Sequence, residues 1–116
     1  MVTIEAKDNI IYSIAEDKLD DQDYDKIVPL LEETIRNFKD IRWYFEMKNF
    51  HGWTPSAMWE DAKLDFEHKD NFEKIAMVGS EKWEDWLTQL MKPFTKAEIK
   101  FFKLEEKELA KAWIRS

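Results

Sequence analysis

Apolar positions along the chain switch repeatedly between a two-residue and a roughly four-residue period, which predicts strands alternating with helices. Val2 to Ala6 and Ile10 to Glu16 are short β-type runs. The polar Lys7-Asp8-Asn9 between them suits a hairpin turn, so the two are expected to pair antiparallel. From Asp21 to Phe38, the residues Tyr24, Ile27, Val28, Leu31, Ile35 and Phe38 follow helical spacing, with acids at the start where the macrodipole favours them. Pro29 falls inside this helix and brings no amide hydrogen to the ladder, so a kink or a fresh start near Val28 is expected. Ile41, Trp43 and Phe45 alternate with Arg42, Tyr44 and Glu46 as a strand, and Phe50 to Trp53 is read as the loop after it.

Thr54 then caps a second helix with Pro55 in its first turn and Met58, Trp59, Ala62 and Phe66 on its apolar side, ending near His68. Ile75-Ala76-Met77-Val78 is continuously apolar, which fits a strand covered on both faces of a parallel sheet. Gly79-Ser80 turns the chain, and Ser80 caps a third helix striped by Trp83, Trp86, Leu87, Leu90 and Met91 until Pro93 stops it. Ala97 to Phe102 is the last strand, and Leu109, Ala110, Trp113 and Ile114 form the apolar face of a closing helix. Together these elements predict an α/β fold: an N-terminal antiparallel edge strand, then four βα units, giving a mixed, mostly parallel five-stranded sheet with four helices in a single domain over residues 1–116.

Charge and composition narrow the partners. Aspartate and glutamate outnumber lysine and arginine by 25 to 18, and the net charge of −7 repels phosphate backbones, which argues against nucleic acid. With no cysteine there is no disulfide frame, thiol nucleophile or thiolate metal site. The start of the chain lacks an apolar signal core, and no apolar run is long enough for stable membrane insertion, so a cytoplasmic protein is expected.

Four stretches carry a resemblance: Gly-Trp-Thr-Pro at 52–55, Ile-Ala-Met-Val-Gly with Lys-Trp-Glu-Asp-Trp-Leu over 75–87, Pro-Phe-Thr-Lys-Ala-Glu-Ile-Lys-Phe-Phe at 93–102, and Glu-Leu-Ala-Lys-Ala-Trp-Ile at 108–114. In combination they resemble the bacterial STAS/SEC14-domain (SpoIIAA-like) proteins, over nearly the whole chain. The resemblance implies a SpoIIAA-like fold and a small non-catalytic binding or regulatory module that needs no cofactor. Related anti-sigma antagonists are switched at an Asp-Ser motif opening the helix after a central strand. Here that junction reads Met47 to Ser56 without an Asp-Ser pair, and Thr54 and Ser56 are only positional substitutes.

The candidate site lies where parallel strands end, since ligand crevices of open α/β sheets form at that edge. The junctions at Asp17 to Asp20, Met47 to Thr54, Gly79-Ser80 and Lys103-Leu104 all emerge there. Phe50, His51, Trp53, Thr54, Trp59 and Ser80 are therefore the candidate ligand-binding residues, for a lipid-like or other small apolar molecule. Set against this is plain packing, with the rings closing the core and both hydroxyls capping helices.

Other constellations are weaker. Asp61, Asp65 and His68 share a helix side without a second contributing helix, so no metal site is expected. Ser80 with His51 lacks the second glycine of a nucleophile elbow and a placed orienting acid, so no catalytic residues are assigned. Lys103, Lys107, Lys111 and Arg115 recur at four-residue intervals as a solvated stripe nearly opposite Leu109 and Trp113. Two functions remain: a binding module for a small apolar ligand, or a protein-interaction module acting as a homodimer or through an unidentified partner.

Overall fold

A two-residue turn at Asp8-Asn9 starts the fold, with Asp8 at φ 55°, a left-handed conformation that short polar side chains tolerate. It joins β1 (Val2–Lys7) to β2 (Ile10–Leu19) as an antiparallel pair. The structure, a computed structural model, describes residues 1–54, 69–83 and 96–116, with Trp53 and Lys69 described by their backbone alone. Beyond β2 come α1 (Asp21–Phe38), β3 (Ile41–Trp53), β4 (Phe72–Val78), β5 (Glu98–Phe102) and α2 (Lys107–Arg115), with short 3-10 turns at Lys69–Asn71, Glu81–Trp83 and Leu104–Glu106. The sheet order is β1-β2-β3-β4-β5, and every pair after the first is parallel. This is the mixed five-stranded sheet expected, with α1 and α2 as its described helices. The helices expected over 54–68 and from Ser80 to Pro93 lie outside the described residues, apart from the first turn of the latter.

Helix α1 starts at a reciprocal capping box. The Asp20 carboxylate accepts from the Asp23 backbone N–H, and the Asp23 carboxylate accepts from the Asp20 N–H, each at 3.0 Å. The helix runs unbroken through exposed Pro29, so there is no fresh start at Val28. The proline leaves the Asp25 carbonyl without its helical donor, at a residue that is itself exposed. Tyr24, Ile27 and Leu31 are buried, but Phe38 is 47% exposed, because the helix ends there and no layer remains for its ring to enter.

Each sheet face has its own cluster. Tyr24, Ile27 and Leu31 join Ile11, Ala15, Trp43, Phe45, Met47, Ile75 and Met77 under α1. On the opposite face, Tyr44, Ala76 and Val78 meet Ala110 and Ile114 of α2. All four residues from Ile75 to Val78 are thus buried, as a strand sandwiched between two layers must be. Each fully buried aliphatic side chain contributes about 1.5–3 kcal/mol. In α2, Leu109 departs from the expected apolar face at 62% exposed, since the nine-residue helix turns only Ala110, Trp113 and Ile114 toward the sheet. Among the described residues no helix is long and apolar enough to cross a membrane.

Buried polar groups are matched to one another. The Trp43 indole N–H donates to Ser13 Oγ at 2.9 Å, and Ser13 Oγ donates to the Tyr44 carbonyl at 3.2 Å. The Tyr44 hydroxyl donates to Glu46 Oε1 at 2.7 Å, in a site where both residues are at most 5% exposed. Burial, reinforced by the Glu46 carboxylate, pushes the Tyr44 phenol far above its ordinary range.

Candidate functional site

The expected loop at Phe50 to Trp53 is instead the end of β3. Pairing with β2 continues through Asp17 with Phe50, Lys18 with Gly52 and Leu19 with Trp53. It survives the polar Lys48-Asn49 and the glycine because β3 carries two extra residues, Asn49 and His51, at register shifts flanking Asp17. Such bulges let a strand bend without breaking its ladder, and three residues here take left-handed backbone: Asp17 at φ 58°, Asn49 at 49° and Gly52 at 119°. The acidic stretch from Glu16 spans the end of β2 and the start of α1.

The bulges set the side chains. Phe50 turns inward, only 4% exposed, and its ring meets Trp83 with centroids 5.3 Å apart. His51 stays exposed, with its ring nitrogen Nδ1 donating to Asp17 Oδ1 at 3.1 Å. Bulged residues are unpaired in the ladder, and that re-aims their side chains at the sheet edge. Thr54 is half-buried and its N–H donates to the Leu19 carbonyl at 2.9 Å, so its backbone extends the β2 and β3 pairing. Whether its hydroxyl caps a helix falls outside the described residues, as do Trp59 and the Trp53 side chain.

At the neighbouring strand end, buried Gly79 donates its N–H to the Phe102 carbonyl at 3.0 Å. A Cβ on Gly79 would stand 2.5 Å from Met47 Cε, so the missing side chain is what admits the Met47 thioether. Ser80 then opens the Glu81–Trp83 turn, its carbonyl accepting from Trp83 N–H at 3.1 Å. Lys82 lies with Nζ 5.6 Å from the Trp83 ring centre.

These strand ends enclose a surface cleft of about 410 Å³. Its apolar wall is Met47, Phe50, Trp83 and Leu104, and its polar rim is Asn49, His51, Ser80 and Lys82. A shallower recess of about 260 Å³ adjoins it through Ser80 and Leu104, beside the ion pair of Lys103 with Glu81 at 3.2 Å. Phe50, His51 and Ser80 of the sequence candidates thus line one cleft. Asp17, Met47, Asn49, Lys82, Trp83 and Leu104 were not among those candidates. In the sequence Trp83 is one member of a helical stripe, and Asp17 only the start of a junction between elements. Only the parallel pairing of β2 with β3 brings Asp17 beside a histidine 34 residues later.

The cleft can hold a molecule with an apolar body and a polar or anionic end. The Asp17 carboxylate supplies the orienting acid that sequence reasoning did not place for His51, yet no hydrogen bond joins Ser80 to His51 among the described residues, and all three side chains face water. Among the described residues no three His, Cys, Asp or Glu side chains are grouped to hold a metal ion, and the Asp61, Asp65 and His68 set lies outside them.

A family model described as SpoIIAA-like matches residues 10–115. A crystal structure of an uncharacterised protein of the DUF3478 family with a SpoIIAA-like fold, from Shewanella loihica PV-4, superposes with a TM-score of 0.77 at 30% sequence identity. The match covers 98% of this chain and 92% of that one. No curated protein matches the chain.

Proposed function

Because the chain belongs to the SpoIIAA-like family, we propose that it is a non-catalytic binding module that takes a small, largely apolar, lipid-like ligand in the cleft at the strand ends. The observation that carries this reading is the pairing of an apolar wall with a rim of neutral and cationic groups. A ligand tail displaces water from Met47, Phe50, Trp83 and Leu104, while a polar head accepts from Lys82, Ser80 or Asn49. The position agrees with the general placement of ligand crevices at the carboxyl ends of parallel strands. With Ser80 and His51 unconnected and solvated, the groups present suit recognition better than bond-making.

Titration with dodecanoic acid tests the reading, since Trp83 lines the cleft and reports through its emission. A saturable change is expected, weakened at least fivefold by Leu104→Glu with the unfolding midpoint unaltered. If dodecanoic acid produces no saturable change and native mass spectrometry of the purified protein shows no retained small molecule, the proposal fails.

A further inference from the structure

A second recess lies away from the strand-end cleft, between edge strand β1 and helix α2 on the sheet face that α2 covers. It has a volume of about 320 Å³. We propose that this groove binds a small organic anion, one phosphate or carboxylate group carried on a compact apolar body.

Charge is the first observation. Lys7, Lys111 and Arg115 line the groove against one acid, Glu5, in a chain whose net charge is −7. Among the described residues no carboxylate forms an ion pair with Lys7 or Arg115. A concave surface on which one sign of charge predominates focuses its field on the space it encloses.

Positioning is the second. Arg115 Nε donates to the Tyr12 hydroxyl at 3.2 Å, and its guanidinium sits 6.0 Å from the centre of that ring. This anchors the stem of the fork and leaves its terminal nitrogens for two-point pairing with an oxyanion. Lys111 Nζ lies 5.7 Å from the Tyr44 ring centre, with Glu108 3.9 Å away, too far to be a good hydrogen bond. The two tyrosines are 5.8 Å apart, so both cations are held on one aromatic platform. The expected solvated lysine stripe of α2 is therefore in part a groove wall. Ordering already present in the free protein reduces the entropy lost on binding.

Size and lining set the rest of the ligand. The recess is several times larger than an inorganic phosphate needs, and Ile14 with the Tyr12 and Tyr44 rings lines it beside the charged groups. An apolar body fills that part while the oxyanion meets Arg115 and Lys111.

Amide chemical shifts of the full chain, titrated with phenyl phosphate and separately with benzoate at low salt, test this. Saturable shifts at Tyr12, Tyr44 and Arg115 are expected with one or both anions, and none with benzyl alcohol, which has the ring without the charge. Arg115→Ala and Lys111→Ala should each weaken binding about tenfold, with Arg115→Lys in between. Lys7→Gln, at an exposed position, should weaken it less while leaving the fold intact, and serves if the α2 variants are unstable. Absence of saturable shifts with both anions, or binding unaffected by Arg115→Ala, overturns the proposal. Equally tight binding of inorganic phosphate removes the apolar body. A response to phosphatidylserine vesicles without one to either soluble anion replaces the proposal with a membrane surface.

Discussion

The Tyr44 ring packs in the α2 layer, and its hydroxyl holds the buried carboxylate of Glu46, two residues further along the same face of β3. Removing that donor leaves an acceptor in a site where water cannot replace it. Tyr44→Phe should therefore cost about 1–3 kcal/mol, measured by urea unfolding. The paired change of Tyr44→Phe with Glu46→Leu should cost less than Tyr44→Phe alone, since both polar groups then leave together. The same reasoning applies across the sheet. Ser13→Ala strands the Trp43 indole N–H at a residue 6% exposed, and should cost about 1–3 kcal/mol with a change in tryptophan emission. Gly52 holds φ 119°, which an alanine reaches only with strain, so Gly52→Ala should lose about 1–3 kcal/mol. The Trp83 ring atom 3.6 Å from the built Cβ is ordinary contact, so backbone conformation and not crowding sets that cost.

At the scale of elements, the start of α1 makes stability depend on acid. Burial of the Asp23 carboxyl favours protonation, but it is outweighed by hydrogen bonds from the Asp20 backbone and the Met1 amino group, and the pKa ends below its ordinary value of 3.8. A lowered folded pKa means stabilisation that is complete above the unfolded value and lost as pH falls through the folded one. Asp23→Asn should cost about 1 kcal/mol at neutral pH and flatten the acid limb of a stability profile below about pH 4.

Much of this level was legible in the sequence. Strict alternation at Ile41 to Glu46 and the apolar run at Ile75 to Val78 fixed strand positions and faces, and helical spacing placed α1. What spacing does not contain is the width of the covering layer, which is why Phe38 and Leu109 kept their place on a stripe yet lie in solvent. Nor does it reveal bulges. Lys48, Asn49 and Gly52 look like strand breakers, and only the register with β2 shows that the ladder absorbs them. For the same reason three candidate residues could be placed at one edge from sequence, while the Asp17 partner of His51 could not.

The whole molecule is a sheet clad on both faces, with a Cα radius of gyration of 12.9 Å, close to the roughly 13 Å of a compact domain of this size. The two clusters are separated by one sheet and share strands β2 to β5, so loss of one layer removes support from the other. Unfolding should be one cooperative transition, with tryptophan emission and far-ultraviolet dichroism giving superimposable curves in urea. Separate midpoints would show that the α2 layer melts independently. The two extra residues of β3 carry a consequence for how this chain can change over evolutionary time. Because Asn49 and His51 stand outside the pairing, losing either one would remove a bulge yet leave Phe50 opposite Asp17 and Gly52 opposite Lys18, each on its present face. Losing a paired residue between Ile41 and Met47 would instead turn the residues around it to the wrong face. Among relatives, single-residue insertions and deletions in this strand should therefore fall at these two positions and not in its regular part.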